Sequence, residues 1–151
     1  MRKFLVSCVC SILFVAMSGS AALAAANGTD RPLKASGSAT GIITVDTVVT
    51  FTIDGTSTST QLGRTTIHID GVCNDPNCFT STYTYTAVAA NGDTLTASGA
   101  NDGTNDVASF TGGTGRFAGA SGTITTTTNF IFDPSGLGFH LTFAQTGTIS
   151  Y

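Results

Sequence analysis

Gly112-Gly113-Thr114-Gly115-Arg116-Phe117-Ala118-Gly119-Ala120-Ser121-Gly122 places five glycines within eleven residues. Glycine reaches positive φ without a Cβ clash and lets two backbones approach closely, so this density marks a tight corner between two β-segments. A free linker would have no use for Phe117, the one large apolar side chain in the stretch. A phosphate-binding loop would need a parallel strand before it and a helix after it. The residues that follow are Thr123-Ile124-Thr125-Thr126-Thr127-Thr128, which excludes a nucleotide site of that kind.

The segments on either side of this corner alternate with period two, as half-buried strands do. Downstream, Ile124, Thr126, Thr128, Phe130 and Phe132 share a face. Asp133-Pro134-Ser135-Gly136-Leu137-Gly138 then turns the chain, and Phe139, Leu141, Phe143, Gln145, Gly147, Ile149 and Tyr151 form the partner face. Pairing Phe132 with Phe139 also pairs Phe130 with Leu141 and Ile124 with Gly147. Upstream, Val107–Thr111 reads as a short strand preceded by a polar loop, Asn101–Asp106. That loop's oxygen ligands lack the spacing of a calcium hand, and it reads as solvated.

Further upstream, Phe79, Ser81, Tyr83, Tyr85 and Ala87 alternate with threonines, and Leu95 and Ala97 follow Asn91-Gly92. A two-residue Asn91-Gly92 turn would put Leu95 on the face opposite Tyr83 and Tyr85. A three-residue loop, Ala90-Asn91-Gly92, pairs Ala87 with Leu95 and keeps one apolar face, with Gly92 in the left-handed region. Ile43 to Ile53 reads as one strand, Lys34 to Thr40 as a weaker one, Gly55 to Thr60 as a turn region, and Thr65 to Asp70 as another strand. Seven or eight such strands without a convincing helix imply an all-β fold. The expected form is a closed antiparallel barrel of about eight strands, with a β-sandwich as the alternative.

The N-terminus carries an export signal: basic Arg2-Lys3, an apolar run from Phe4 to Met17, and Ala22-Leu23-Ala24 as the small-residue cleavage site, with Ala26 as the near alternative. Residues 1–24 are the signal and residues 25–151 one domain, secreted or periplasmic, with no stretch after the signal long and apolar enough for a spanning helix. Cleavage leaves four Lys/Arg against nine Asp, a net charge of −5, which suits neither nucleic acid nor an anionic membrane. Threonine dominates, and glutamate and tryptophan are absent. The mature cysteines, Cys73 and Cys78, enclose Asn74-Asp75-Pro76-Asn77 and read as a disulfide that pins a local loop, worth about 2 kcal/mol for so short a ring. A redox pair would have two intervening residues, and a zinc shell would need further ligands, so no metal or cofactor is expected.

The run Ser109-Phe110-Thr111-Gly112-Gly113-Thr114-Gly115-Arg116-Phe117 through Ala120-Ser121-Gly122 resembles the G-G-T-G-x-F-x-x-A-x-G signature of dirigent proteins and allene oxide cyclases, which are eight-stranded β-barrels. Together with Gln61-Leu62-Gly63-Arg64 and Ala90-Asn91-Gly92-Asp93-Thr94-Leu95, it also resembles a group of uncharacterised exported bacterial proteins of the same barrel type. The resemblance lies in Gly112, Gly113, Gly115, Phe117 and Gly122, which carry fold information and almost no chemistry. The families' catalytic residues lie outside this motif, so none transfers to this chain. The absence of glutamate speaks against a cyclase mechanism that uses one.

His68 and His140 fall on the threonine faces of their strands and are read as pointing outward. The inward set contains Phe51, Tyr83, Tyr85, Phe130, Phe132, Phe139, Phe143 and Tyr151, with Gln145 among them. It fits a packed aromatic core or the wall of an enclosed pocket, since an eight-stranded barrel is near the size at which either occurs. In a pocket, Phe130 and Phe143 would form apolar walls, with Tyr83, Tyr85 and Gln145 as polar handles. Arg64 and Arg116 flank strand-end glycines and read as surface ion-pair partners or as groups at a barrel mouth.

Three function classes follow. A non-catalytic exported barrel binding a small apolar molecule, or associating with partners including its own copies, fits the missing acid–base groups best. An isomerase or cyclase of the allene oxide cyclase kind would need a buried charged residue among the aromatics. A structural envelope or matrix component would need sheet edges free to pair.

Overall fold

The computed structural model describes residues 28–151, so the signal and its cleavage positions lie outside the described residues. Eight strands follow in chain order: β1 (Arg31–Val45), β2 (Val49–Ser59), β3 (Gly63–Cys73), β4 (Ser81–Ala89), β5 (Thr94–Asn101), β6 (Asp106–Gly113), β7 (Ser121–Phe132) and β8 (Gly138–Ser150). Each pairs antiparallel with its chain neighbours, and β8 returns to pair with β1, closing the barrel. One 3-10 turn, Gly115–Phe117, sits inside the glycine corner.

The β7–β8 register is the expected one: Phe132 faces Phe139, Phe130 faces Leu141 and Ile124 faces Gly147. The β4–β5 turn is the three-residue loop, with Gly92 at φ +86° and Ala87 opposite Leu95. The two registers follow from the same requirement, that each hairpin keep its apolar residues on the inner face.

The stretch from Ile43 to Ile53 is not one strand. Asp46, Thr47 and Val48 reverse the chain, so Val45 pairs with Val49 and Ile43 with Phe51. Alternation continues through the reversal because both arms of a hairpin obey the same period, and no glycine or proline marks the turn. Conversely, Gly55 to Ser59 is strand, not turn: Gly55 packs against Ala39 across the β1–β2 ladder, where a side chain would overlap the facing backbone.

The lumen shows how glycine and aromatic residues share space. A Cβ at Gly41 would overlap the Phe139 ring, one at Gly71 the Phe51 ring, one at Gly99 the Tyr83 ring, and one at Gly37 both the Phe143 ring and the β2 backbone. Each of these rings lies over a glycine directly across the ladder. Large and bare positions thus interdigitate around the inner wall.

The two ends differ. At one, the β6–β7 corner folds over the barrel, and Phe117 is fully buried with its ring edge-to-face on Tyr151, centroids 4.9 Å apart. Buried Leu62 from the β2–β3 turn joins this core. The Arg116 guanidinium lies 4.7 Å over the Phe117 ring, its Nε 3.7 Å from Asp93, so Arg116 belongs to this closed end and not to a mouth. The other end carries the β1–β2, β3–β4, β5–β6 and β7–β8 turns. There Cys73 and Cys78 form a disulfide, and the Asp75 carboxylate accepts hydrogen bonds from the amides of Asn77, Phe79 and Thr80 and from the Thr80 hydroxyl.

Candidate functional site

The open end leads into the lumen. β6 pairs with β7 only from Asp106–Thr126 to Ser109–Thr123, so the rest of β7, up to Phe132, rises above the β6 rim with β8 as its ladder partner. Phe130 and Phe132 sit on the inward face of this raised segment but are 49% and 55% exposed, because no strand stands opposite to cover them. They are mouth residues, not core. Their rings stack at 6.0 Å, and both lie against the buried Phe139, at 5.5 and 5.7 Å.

Below the mouth is a cavity of about 80 Å³. Tyr83, Tyr85, Phe130, Phe143 and Gln145, the five residues the alternation singles out as pocket wall and handles, all line it. Ile53, Ile67 and Leu141 supply further apolar wall. Deeper, between Tyr85, Gln145 and the closed end, only about 10 Å³ is empty, so the lower lumen is packed core. Gln145 donates from Nε2 to the Thr126 hydroxyl at 3.3 Å, which fixes its amide within the wall. The motif residues Gly112, Gly113, Gly115, Phe117 and Gly122 touch none of this.

Asp106 corrects the sequence reading most. It is the first residue of β6, not part of a solvated loop, and it lines the cavity beside Tyr83. The Tyr83 hydroxyl donates a hydrogen bond to Asp106 Oδ1. Burial raises the Asp106 carboxyl above the usual carboxylate range, a shift partly offset by that bond. Burial likewise raises the Tyr83 phenol, reinforced by the neighbouring carboxylate, and pushes Tyr85 up to about 12. Both phenols therefore remain protonated donors at neutral pH. Ser81, Asn101, Thr126 and Thr128 add further polar groups to the wall. The signal for Asp106 was its place two residues before Ala108 and four before Phe110, on the same inward alternation. The turn residues that precede it, Asp102 to Asn105, hid it: Asp102 takes the amides of Thr104 and Asn105 as a turn residue should.

The histidines are outside. His140 is exposed on β8, and His68 on β3 lies between two aspartates, with Nδ1 2.7 Å from Asp54 and Nε2 3.0 Å from Asp70. Both ring nitrogens can donate at once only in the imidazolium, and the bond to Asp54, then that to Asp70, raises the His68 pKa from its ordinary 6.5. The sign follows: this contribution to stability is fully present below about pH 6.5 and is lost as pH rises through the higher folded value. Urea unfolding from pH 6 to 9 is expected to show a small, solvent-screened fall that His68→Gln abolishes. An identical pH profile for the variant would assign the slope elsewhere.

No family model matches the chain, and neither does any curated protein. Among solved structures, the chain is similar to a pterocarpan synthase dirigent protein, at 12% identity over 81% of this chain and 86% of that one, with a TM-score of 0.58. At that identity the likeness concerns architecture alone. This chain has the dirigent-type fold, a closed antiparallel barrel of eight strands.

Proposed function

We propose that this chain is an exported barrel that holds a small, largely apolar molecule in its upper lumen, with the Tyr83–Asp106 pair fixing a polar group of that molecule. The observation that carries the reading is one hydrogen-bonded phenol–carboxylate pair set in an apolar, aromatic cavity open at one end. At about 80 Å³ the cavity is well below the ~300 Å³ of a usual ligand site, so one small group enters while the rest of the molecule lies on Phe130 and Phe132 at the mouth. The structural neighbour, a pterocarpan synthase, is in keeping with a small-molecule site in such a barrel. The signal pattern at residues 1–24 and the Cys73–Cys78 bridge support export.

A second reading, proton transfer in an isomerase or cyclase reaction, is favoured by Asp106 itself: it is the charged residue among aromatics that such chemistry would need, and its raised pKa suits proton exchange. The matrix reading loses the open sheet on which it depended, because the barrel closes.

Native mass spectrometry of the exported chain tests the binding reading. A co-purified small molecule is expected, and a chain found only at its bare mass, which also takes up no small aromatic amine or alcohol, contradicts it. Incubating the recovered molecule with wild type and with Asp106→Asn separates the two readings. A binder returns it unchanged from both, whereas an isomerase converts it with wild type alone.

A further inference from the structure

Every turn at the open end carries an aspartate: Asp46 between β1 and β2, Asp75 in the cysteine loop, Asp102 between β5 and β6, and Asp133 between β7 and β8. Asp106 stands just inside. The lysine and arginine residues among the described residues are placed oppositely. Arg31 pairs with Ile149 and Lys34 with Thr146, Arg64 follows the β2–β3 turn, and Arg116 lies in the glycine corner, all in the closed half. The barrel is therefore charged along its axis, negative at the mouth.

Among the described residues, no lysine or arginine pairs with the mouth aspartates. Hydrogen bonds from their own turns, led by the Thr80, Asn105 and Ser135 groups, hold Asp75, Asp102 and Asp133 below the usual carboxylate range, so these three stay ionised at neutral pH. Asp106 accepts from Tyr83 and forms no ion pair among the described residues. Between these charges the surface is aromatic, with Phe79, Phe130 and Phe132 exposed around the entrance.

We infer that the lumen selects an organic ammonium: a small apolar molecule whose protonated amine sits against Asp106 and the ring faces of the upper wall. The inference rests on the lumen-binding reading and names its ligand class. The negative rim concentrates cations at the entrance, the aromatic faces attract them, and the Asp106 carboxylate, which has no cationic partner among the described residues, receives the charge in a partly desolvated site. A carboxylate ligand meets the same field with the opposite sign.

The test is calorimetric titration of the mature chain at pH 7 and low salt with three probes that share a phenyl ring and a two-carbon spacer: phenethylamine, 2-phenylethanol and 3-phenylpropionate. The amine is expected to bind at least about tenfold more tightly than the alcohol, the carboxylate weakest, with the preference shrinking as salt rises. Asp106→Asn, which keeps an acceptor for Tyr83, is expected to bring the amine down to the level of the alcohol measured on the same variant. Equal binding of amine and alcohol, tightest binding of the carboxylate, or an amine preference that survives in a folded Asp106→Asn overturns the inference and leaves the lumen reading standing. Binding of none of the three removes the lumen reading and the inference together. The wild-type comparison decides the matter even where the variant fails to fold.

Discussion

Phe117→Ala is expected to lower the unfolding free energy by about 3 kcal/mol or more, a large share of what a single small domain has. Phe117 is fully buried, its ring meets Tyr151 edge-to-face, and the Arg116 guanidinium covers its outer side. The glycines around it supply no side chains that could close over the hole, so truncation leaves the barrel end open rather than collapsed. Urea unfolding measures the loss as a shift in midpoint at unchanged slope. The cavity lies at the opposite end, so a variant that still folds should bind lumen probes with near-native affinity. A shift below about 1 kcal/mol together with lost binding would make the corner a recognition loop and contradict its assignment as a plug.

Gly99→Ala is expected to act on fold and site together. A Cβ there would overlap the Tyr83 ring, which cannot swing away without giving up its hydrogen bond to Asp106. Overpacking of this kind costs about 1–3 kcal/mol, and the released phenol no longer holds the carboxylate in the upper lumen. Two measurements should therefore move at once: a lower urea midpoint, and weaker binding of phenethylamine. The double outcome distinguishes Gly99 from Gly63, where a Cβ would meet nothing within 4 Å and only the backbone, at φ +70°, is affected. Native stability and native affinity in Gly99→Ala would show that the ring does not depend on the bare position beneath it.

Much of the fold was legible because both hairpins around the glycine corner carry an unbroken apolar alternation. One inner face then leaves a single register for β7–β8 and one loop length for β4–β5. Legibility failed where that signal was silent. The β1–β2 reversal at Asp46–Val48 has neither glycine nor proline, and the alternation runs straight through it. Tyr83, Tyr85, Phe130, Phe143 and Gln145 could be placed on the inner wall from sequence because they are large and fall on the inward alternation, whereas Asp106 was missed because a charged side chain after Asn101-Asp102-Gly103-Thr104-Asn105 reads as more turn. Its inward position is set by closure of the β5–β6 pair down to Asn101–Asp106, which composition does not reveal. Phe130 and Phe132 were placed on the right face but at the wrong depth, because their burial depends on how far β6 climbs beside them.

The measurement that bears most directly on the lumen as binding site is a residue-resolved NMR titration of the chain with phenethylamine. Shift changes are expected to concentrate on the inward residues of the upper barrel, Ile53, Ile67, Tyr83, Asp106 and Phe143, with Phe130 at the mouth. Outward neighbours on the same strands, such as Thr52, Thr66 and Thr84, should stay still. Changes confined to those outward positions, or to the Phe117 corner, would contradict it.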